Sequence, residues 1–434
     1  MEMTNSELAQ RVVALLAQGQ FAQVEAMMAE SLKPFMYEGQ LATTWRTLEQ
    51  QLGAFQSQLS VHTVQTPQAN VEVVSCAFAQ TSFDINLAFN PQQQIISLTA
   101  TPAGTVEQQA NLQYEAPAYA IVDRFTEHEV LVGSDEWALP GTLTLPTGTG
   151  PFPAVVLVHG SGPNDRDETI PPNKPFRDLA WGLASNGIAV LRYDKRTKAH
   201  AAQIAPLIST FTVRQEVIED ALLALDLLRT RPEIDHGQIF ILGHSLGGYL
   251  LPRIMSAPEA STVRGAIIMA GSARPLEDII LDQMTYIASL SQQTPEQQQH
   301  LEELARKVAR VKDPGLTPAT PTTDLPLNVS AAYWLDLRGY HPEEVARQLP
   351  PPLLILQAEN DYQVTQADLH IWQQALGRRA NVTFKTYPNL HHLFMPSEPG
   401  HKATPAAYTI ASHVVPEVIN DISAWIIHPP SPSP

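Results

Sequence analysis

The chain has 434 residues, of which 44% are hydrophobic and 16% charged, a composition typical of globular proteins and not of disordered ones. This length indicates two domains. The 44 acidic residues outnumber the 27 lysines and arginines, and the formal net charge of −17 argues against binding to nucleic acid or to an anionic membrane surface.

The N-terminus and the cysteine content bear on location. Glu2, Glu7 and Arg11 interrupt the first residues, so they lack the basic start and apolar core of a signal peptide. Cys76 is the only cysteine, so no internal disulfide can form. No apolar run reaches the roughly 18 residues that a membrane span needs. We expect a cytoplasmic protein, although a signal peptide that had been removed would leave no trace.

Residues 1–105 predict helices followed by strands, an α+β domain. Apolar residues recur at helical spacing in three stripes: Leu8, Val12, Leu15 and Leu16; Phe21, Val24, Met28 and Leu32; and Leu41, Trp45, Leu48, Leu52 and Phe55. Residues 83–89 then alternate apolar with polar or small, which predicts a strand with one buried face. Residues 59–66, 71–79 and 94–101 also predict strands. The linker is expected within residues 101–117, which lack a clear period.

Residues 118–428 alternate strands and helices. Segments 127–133 and 137–145 predict an opening antiparallel pair. Six short apolar runs follow, at 154–159, 188–193, 238–243, 265–270, 353–357 and 382–387. Near-continuous apolar strands are typical of a parallel sheet that is covered on both faces. With helical segments such as 213–230 and 366–376 between them, they predict a doubly wound, mostly parallel α/β domain.

A long insertion separates two of these strands. Between Gly271 and Pro350, where one crossover helix would suffice, the sequence predicts helices at 276–290 and 295–311, a Pro/Thr-rich stretch and another helix. We expect residues 272–345 to form a lid beside the carboxyl ends of the strands. A surface elaboration or an oligomer contact is the alternative. The Pro/Ser tail, residues 429–434, is expected to be disordered.

The strongest motif is Gly243-His244-Ser245-Leu246-Gly247, which follows an apolar strand and precedes a predicted helix. A sharp strand-to-helix turn with glycines two positions on either side exposes a serine hydroxyl as a nucleophile. The alternative is an ordinary glycine turn with a surface serine.

A glycine-rich loop, His159-Gly160-Ser161-Gly162-Pro163, follows an earlier strand. In sites of this kind, one backbone N–H from such a loop and one from the residue after the nucleophile bind the oxyanion. The candidate oxyanion donors are therefore the N–H groups of Ser161 and Leu246.

An acid and a base should follow the serine in that order. Asp361 lies at the carboxyl end of the strand 353–357 and is favoured over Glu359. The strand 382–387 is followed by His391 and His392, and their order alone does not decide between them. No zinc-ligand spacing and no phosphate-binding loop occurs, so neither a metal nor a cofactor is expected. The charged clusters 164–168 and 194–196 are interpreted as loop-fixing ion pairs rather than substrate contacts.

The motifs at 159–167, 192–196, 243–248 and 361–364 together resemble bacterial α/β-hydrolase esterases, which are related to prolyl-oligopeptidase-like and dienelactone-hydrolase-like enzymes. Several of these carry an N-terminal domain of unknown function that is similar to the nuclear-transport-factor fold. The resemblance implies Ser245 as nucleophile, Asp361 as acid and His392 as base. His391 falls where asparagine is usual, and Ala358 where glycine is common.

The expected activity is hydrolysis of small carboxylic esters by acyl transfer, with short acyl chains implied by the resemblance alone. A peptidase, acyltransferase or thioesterase could use the same residues. The alternative from another class is that the N-terminal domain acts as a binding or dimerisation module, with a homodimer as the assembly and hydrolysis secondary.

Overall fold

The computed structural model describes residues 3–29, 40–66, 69–106, 114–290 and 293–431. The chain divides into two compact units: Met1–Tyr114 with Pro321–Val329, and Glu115–Thr320 with Ser330–Pro434. The segment 321–329 interrupts the predicted insertion and belongs to the first unit, which the sequence did not predict. Leu32, residues 107–113 of the predicted linker and residues 432–434 of the tail lie outside the described residues.

In the first unit, helices precede an antiparallel sheet. The helices are α1 (Asn5–Ala17), α2 (Phe21–Ala26) and α3 (Gln40–Leu52), and the strands are β1 (Phe55–Gln65), β2 (Asn70–Phe78), β3 (Ser82–Phe89) and β4 (Ile95–Pro102), in the order β1-β2-β3-β4. Two of the apolar stripes predicted helices that extend further than those in the structure. Helix α2 ends before Met28, which bridges to Ile95, and Phe55 begins β1 instead of extending α3.

The predicted single buried face of β3 is wrong. Ile85 and Leu87 lie in the apolar core with α1, as alternation requires, but Asp84 and Asn86 on the opposite face are also buried. Each side chain has one hydrogen bond: Oδ2 of Asp84 accepts from the N–H of Gly104 at 2.8 Å, and the Asn86 amide donates to the Thr101 hydroxyl at 2.8 Å, whereas Oδ1 of each residue has no partner among the described residues. Hydrogen bonding of this kind lowers the cost of burying a polar side chain.

The second unit is built on a mostly parallel sheet. Its strands are β5 (Phe125–Val132), β6 (Leu139–Pro146), β7 (Phe152–Val158), β8 (Ala189–Tyr193), β9 (Ile234–His244), β10 (Gly265–Met269), β11 (Leu353–Ala358) and β12 (Val382–Tyr387). Their order is β12-β11-β10-β9-β7-β8-β6-β5. Strands β5 and β6 pair antiparallel, as does β6 with β8, and the remaining neighbours are parallel.

Helices connect and cover these strands. They are α4 (Pro175–Ser185), α5 (Arg196–Ala199), α6 (Ala201–Ile204), α7 (Glu219–Arg229), α8 (Leu246–Met255), α9 (Leu276–Ser289), α10 (Pro295–Lys312), α11 (Ala331–Leu337), α12 (Pro342–Arg347), α13 (Gln366–Leu376) and α14 (Pro416–Ile427). A π-helical turn, Arg214–Ile218, leads into α7. Strands β8, β10 and β11 are buried throughout, as are the last five residues of β7 and the last six of β9, which accounts for their near-continuous apolar sequences.

The carboxyl ends of the parallel strands bring the predicted site residues to one edge of the sheet. Strand β7 leads into the glycine-rich loop, β9 into Ser245, β11 into Asp361 and β12 into the paired histidines. Strands β8 and β9, which follow β7 in the chain, pair on opposite sides of it. Ligands of doubly wound folds bind at such a reversal of strand order.

Candidate active site

Ser245 occupies the sharp turn between β9 and α8. Its backbone has φ 52° and ψ −116°, a conformation that is strained for any residue other than glycine. The Ser245 N–H donates to the carbonyl of Met269 at 3.0 Å, and its carbonyl accepts from Tyr249 at 2.9 Å. The turn is thus held by the neighbouring strand and by the helix, and the side chain remains partly exposed.

Glycines on both sides permit this turn. A Cβ at Gly243 would lie 2.4 Å from the backbone of Gly247, and one at Gly247 would lie 2.3 Å from the carbonyl oxygen of Val158. Real Cβ contacts do not come this close, because the repulsion would displace the backbone. The two glycines therefore bring the start of α8 against the end of β7, where the glycine-rich loop begins.

Asp361 and His392 form a buried pair. The Nδ1 of His392 lies 2.6 Å from Oδ2 of Asp361, and both side chains are almost fully buried. The other carboxylate oxygen accepts from the N–H groups of Gln363 at 2.7 Å and Val364 at 3.1 Å. These bonds fix the carboxylate, which in turn fixes the imidazole with Nδ1 as the donor and leaves Nε2 as an acceptor.

The two competing residues have other surroundings. Glu359 is exposed. The ring of His391 lies 5.0 Å from that of Tyr408, and its Nδ1 accepts from the N–H of Leu393 at 3.2 Å. Burial, reinforced by the neighbouring His392, lowers the pKa of His391 to about 4, so this ring is neutral near pH 7. The structure thus brings His392, and not His391, to Asp361.

The Ser245 hydroxyl is not hydrogen-bonded to His392 in the part of the chain that the structure describes. The two residues are nevertheless tied through His244, whose Nε2 donates to the His392 carbonyl at 3.0 Å and whose ring lies 4.7 Å from the His392 ring. Hydrogen bonds between catalytic groups are often longer in free enzymes and tighten when substrate binds.

The two candidate oxyanion donors flank Ser245. Ser161 is exposed, in a loop that lies against Ser245: a Cβ on Gly160 would be 3.1 Å from Cβ of Ser245. Leu246 is the first residue of α8, so its N–H has no partner within the helix. An N–H at a helix start also carries part of the positive end of the helix dipole. The Leu246 N–H is therefore suited to binding a negatively charged oxygen, and the Ser161 N–H belongs to the loop beside Ser245.

A buried ion pair lies under this loop. Oε1 of Glu168 accepts from the Gly160 N–H at 2.6 Å, and Oε2 lies 2.8 Å from Nδ1 of His244, close enough for an ion pair although not aligned as a hydrogen bond. Burial alone would lower the pKa of His244, but the Glu168 carboxylate raises it above its usual value. Burial alone would likewise raise the pKa of Glu168, and the His244 charge lowers it.

The other charged residues after β7 and β8 also form ion pairs. Arg166 contacts Asp194 at 3.1 Å, and the buried Arg196 contacts Asp220. The sequence-based interpretation of these clusters as loop-fixing pairs describes both contacts. It missed that Glu168, within the first cluster, holds the loop beside Ser245, because no short-range pattern links Glu168 to His244.

The first helix of the insertion packs beside the loop that carries Asp361. Tyr286 of α9 stacks on Tyr362, the residue after Asp361, with ring centroids 5.2 Å apart. Gln283 of the same helix donates to the carbonyl of Gln363 at 3.4 Å. Helix α9 therefore forms part of the wall beside the loop that carries Asp361.

No group of three or more His, Cys, Asp or Glu side chains is arranged to hold a metal ion among residues 3–29, 40–66, 69–106, 114–290 and 293–431. Over the same ranges, no helix is long and apolar enough to cross a membrane.

Comparisons with known proteins agree with this architecture. A model of the "Alpha/beta hydrolase family" matches residues 155–403, and one described as "Protein of unknown function (DUF3887)" matches residues 9–98. Esterase EstD of Thermotoga maritima is 36% identical over 408 residues, which cover 92% of this chain and 90% of that protein.

Solved structures give weaker likenesses. An esterase from the archaeon Pyrobaculum calidifontis is 15% identical with a TM-score of 0.44, covering 69% of this chain and 85% of the other. Est1E from Butyrivibrio proteoclasticus is also 15% identical with a TM-score of 0.44, covering 69% of this chain and 98% of the other.

Proposed function

The chain belongs to the alpha/beta hydrolase family and is an esterase, and we propose that it cleaves small carboxylic esters through an acyl-enzyme on Ser245. The observation that carries the proposal is the buried pair of Asp361 and His392, with 2.6 Å between Oδ2 and Nδ1. This pair follows β11 and β12, at the sheet edge where the turn after β9 exposes Ser245.

In the first step, Nε2 of His392 takes the proton of the Ser245 hydroxyl as the oxygen attacks the ester carbonyl. The imidazolium that forms is stabilised by the Asp361 carboxylate at Nδ1. Because Asp361 already accepts two backbone hydrogen bonds, it does not need to reorient during the reaction.

The carbonyl oxygen becomes negatively charged in the tetrahedral intermediate. We assign its stabilisation to the N–H groups of Ser161 and Leu246. The imidazolium then gives its proton to the departing alcohol, and the acyl group stays on Ser245. A water molecule, deprotonated by the same imidazole, releases the acid and restores the serine.

The test is hydrolysis of p-nitrophenyl esters, from acetate to palmitate, by wild type and by Ser245→Ala. The substitution should abolish turnover on every ester while the far-UV circular dichroism spectrum is unchanged. Ser256→Ala is the matched control, since Ser256 is exposed just beyond the far end of the same helix, α8. We expect it to retain wild-type turnover, and we expect the wild-type rate to peak at short acyl chains.

Two results would change the proposal. Turnover retained by Ser245→Ala would remove Ser245 as nucleophile. A folded wild type with no turnover on any ester of the series would direct attention to amide or thioester substrates, or to an acyl acceptor other than water.

A further inference from the structure

The peptide unit between Gly160 and Ser161 is held at its carbonyl. The Gly160 carbonyl oxygen accepts a hydrogen bond from Nζ of Lys195 at 2.8 Å and a longer one from the Asn164 amide at 3.3 Å. A trans peptide is planar, with its C=O and N–H pointing in opposite directions. Whatever fixes the Gly160 carbonyl therefore also fixes the direction of the Ser161 N–H, the candidate oxyanion donor.

Lys195 is buried and itself held in place. It lies just beyond the end of β8 and is about 2% exposed. Its Nζ is 2.7 Å from Oε1 of Glu216, in the π-helical turn, and the other Glu216 oxygen accepts from the hydroxyl of Tyr333 on α11 at 2.7 Å. Burying such a pair is costly and gives little net stability, so a structural contribution alone is a weak explanation for it.

The preceding peptide unit is held as well. Glu168 accepts the N–H of Gly160 at 2.6 Å, so Gly160 is bound through its donor by an acid and through its acceptor by a lysine. A cation at a carbonyl oxygen draws electron density from the amide and makes the N–H at the other end a stronger donor. The oxyanion would therefore meet an N–H that is both oriented and polarised before substrate arrives.

We propose that Lys195 is a positioning residue for ester hydrolysis: through the Gly160 carbonyl, it orients and polarises the Ser161 N–H that binds the oxyanion. The inference rests on the proposed function. It predicts an effect on the transition state and not on substrate binding, because the negatively charged oxygen forms only during the reaction.

The experiment removes the buried pair as a whole, with the double variant Lys195→Met, Glu216→Gln, so that no unpaired charge is left inside the protein. Removal of a whole oxyanion donor costs about 10² to 10³ in kcat, and a donor that is only misaligned and less polarised should cost about 10- to 100-fold. KM should stay within about threefold of wild type, as expected for a loss confined to the transition state. kcat is expressed per active site, titrated to completion with a fluorophosphonate.

A second readout separates positioning from general loosening of the fold. A trifluoromethyl ketone analogue of the substrate adds to the serine and places an oxyanion in the site, whereas the product carboxylic acid does not. The affinity for the ketone should fall by the same factor as kcat, and the inhibition constant of the product acid should change little.

The matched control is the double variant Arg196→Met, Asp220→Asn. It removes another buried ion pair, whose arginine directly follows Lys195 in the sequence. This pair makes no hydrogen bond to Gly160. It should leave kcat and the ketone affinity near wild type. A fall in kcat equal to that of the Lys195 variant would show a general effect of buried pairs and would overturn the inference.

The inference also fails if the folded Lys195→Met, Glu216→Gln protein keeps wild-type kcat and ketone affinity. Lys195→Gln, which keeps a donor but loses the charge, is measured alongside in case the double variant does not fold, and the same criterion applies to it. Ser245→Ala is assayed in parallel. If it retains turnover, the proposed function is wrong; if it is inactive while the Lys195 variants are fully active, only the role of Lys195 is wrong.

Discussion

Replacing His391 by asparagine should make the protein less sensitive to acid. His391 is almost fully buried, and burial lowers its pKa to about 4. In the unfolded chain the same ring titrates near 6.5. A group whose folded pKa is depressed contributes stability that is present above the unfolded pKa and is lost as the pH falls from about 6.5 towards 4.

The size of the effect follows from these two pKa values. Between pH 7 and pH 5, the unfolded chain becomes almost fully protonated at this position while the folded protein stays mostly neutral. Integrating the difference in bound protons gives about 2 kcal/mol of stability lost over this interval. An asparagine does not titrate, and its side-chain oxygen can accept the Leu393 N–H in place of Nδ1. The variant should therefore lose about 2 kcal/mol less than wild type.

The assay is urea unfolding at pH 7 and pH 5, extrapolated to zero denaturant. Tryptophan fluorescence is the probe, because five of the six tryptophans belong to the second unit, which also contains His391. Loss of ring packing against Tyr408 lowers the free energy of unfolding equally at both pH values, so it cancels in the difference. At neutral pH the variant should also keep kcat within about threefold of wild type, because His391 is not the residue that meets Asp361.

His413→Asn provides a control of opposite sign. Its hydrogen bond with Asp178, at 2.9 Å, raises the pKa of His413. A histidine with a raised folded pKa stabilises the protein more as the pH falls, so its removal should enlarge the loss between pH 7 and pH 5. If His391→Asn and wild type lose equal stability on acidification, His391 is not buried in its neutral form and the reasoning is refuted.

Two further substitutions test the site and its frame. Asp361→Asn should lower kcat by about 10⁴-fold with little change in fold, since an amide cannot hold His392 in the required tautomer. Steady-state ester hydrolysis measures this loss. A kcat near that of wild type would exclude Asp361 as the acid. Gly247→Ala should destabilise the protein by about 3 kcal/mol, because its Cβ would lie 2.3 Å from the Val158 carbonyl oxygen. Thermal unfolding measures the second effect, and an unchanged midpoint would contradict the close approach of α8 to β7.

The sequence predicted the strands of the second unit well because their signal is local. Buried parallel strands need apolar side chains on both faces, so each run is visible without knowledge of its neighbours. The turn at Ser245 also has a local signal, because the close approach of the backbone on either side of it requires glycine at positions 243 and 247. The helix period also located α9, α10 and α13, with ends that differ by a residue or less from the predicted ranges.

Local patterns were less reliable where a residue's environment comes from elsewhere in the chain. The alternation in β3 predicted one exposed face, but Asp84 and Asn86 are buried with hydrogen-bond partners on a later strand and loop. The apolar stripe after Phe21 continued past Ala26, where the helix ends, because the Met28 side chain is buried in the same core although its backbone bridges to β4. Periodicity records burial and does not record which element provides it.

What the sequence determined by itself was the kind of site: a serine on a glycine-flanked turn, with an acid and a base after later strands. Residue order left His391 and His392 open and the family resemblance favoured His392, but only the tertiary structure shows that Asp361 is paired with His392. The loop after β12 folds back through the hydrogen bonds from His391 N–H to Met395 and from Phe394 N–H to His391, so adjacent rings point to different surroundings. The contacts of Lys195 and Glu168 with Gly160 were likewise decided only by the tertiary structure. A buried ion pair depends on where distant strand ends meet, and it produces no periodic pattern in the sequence.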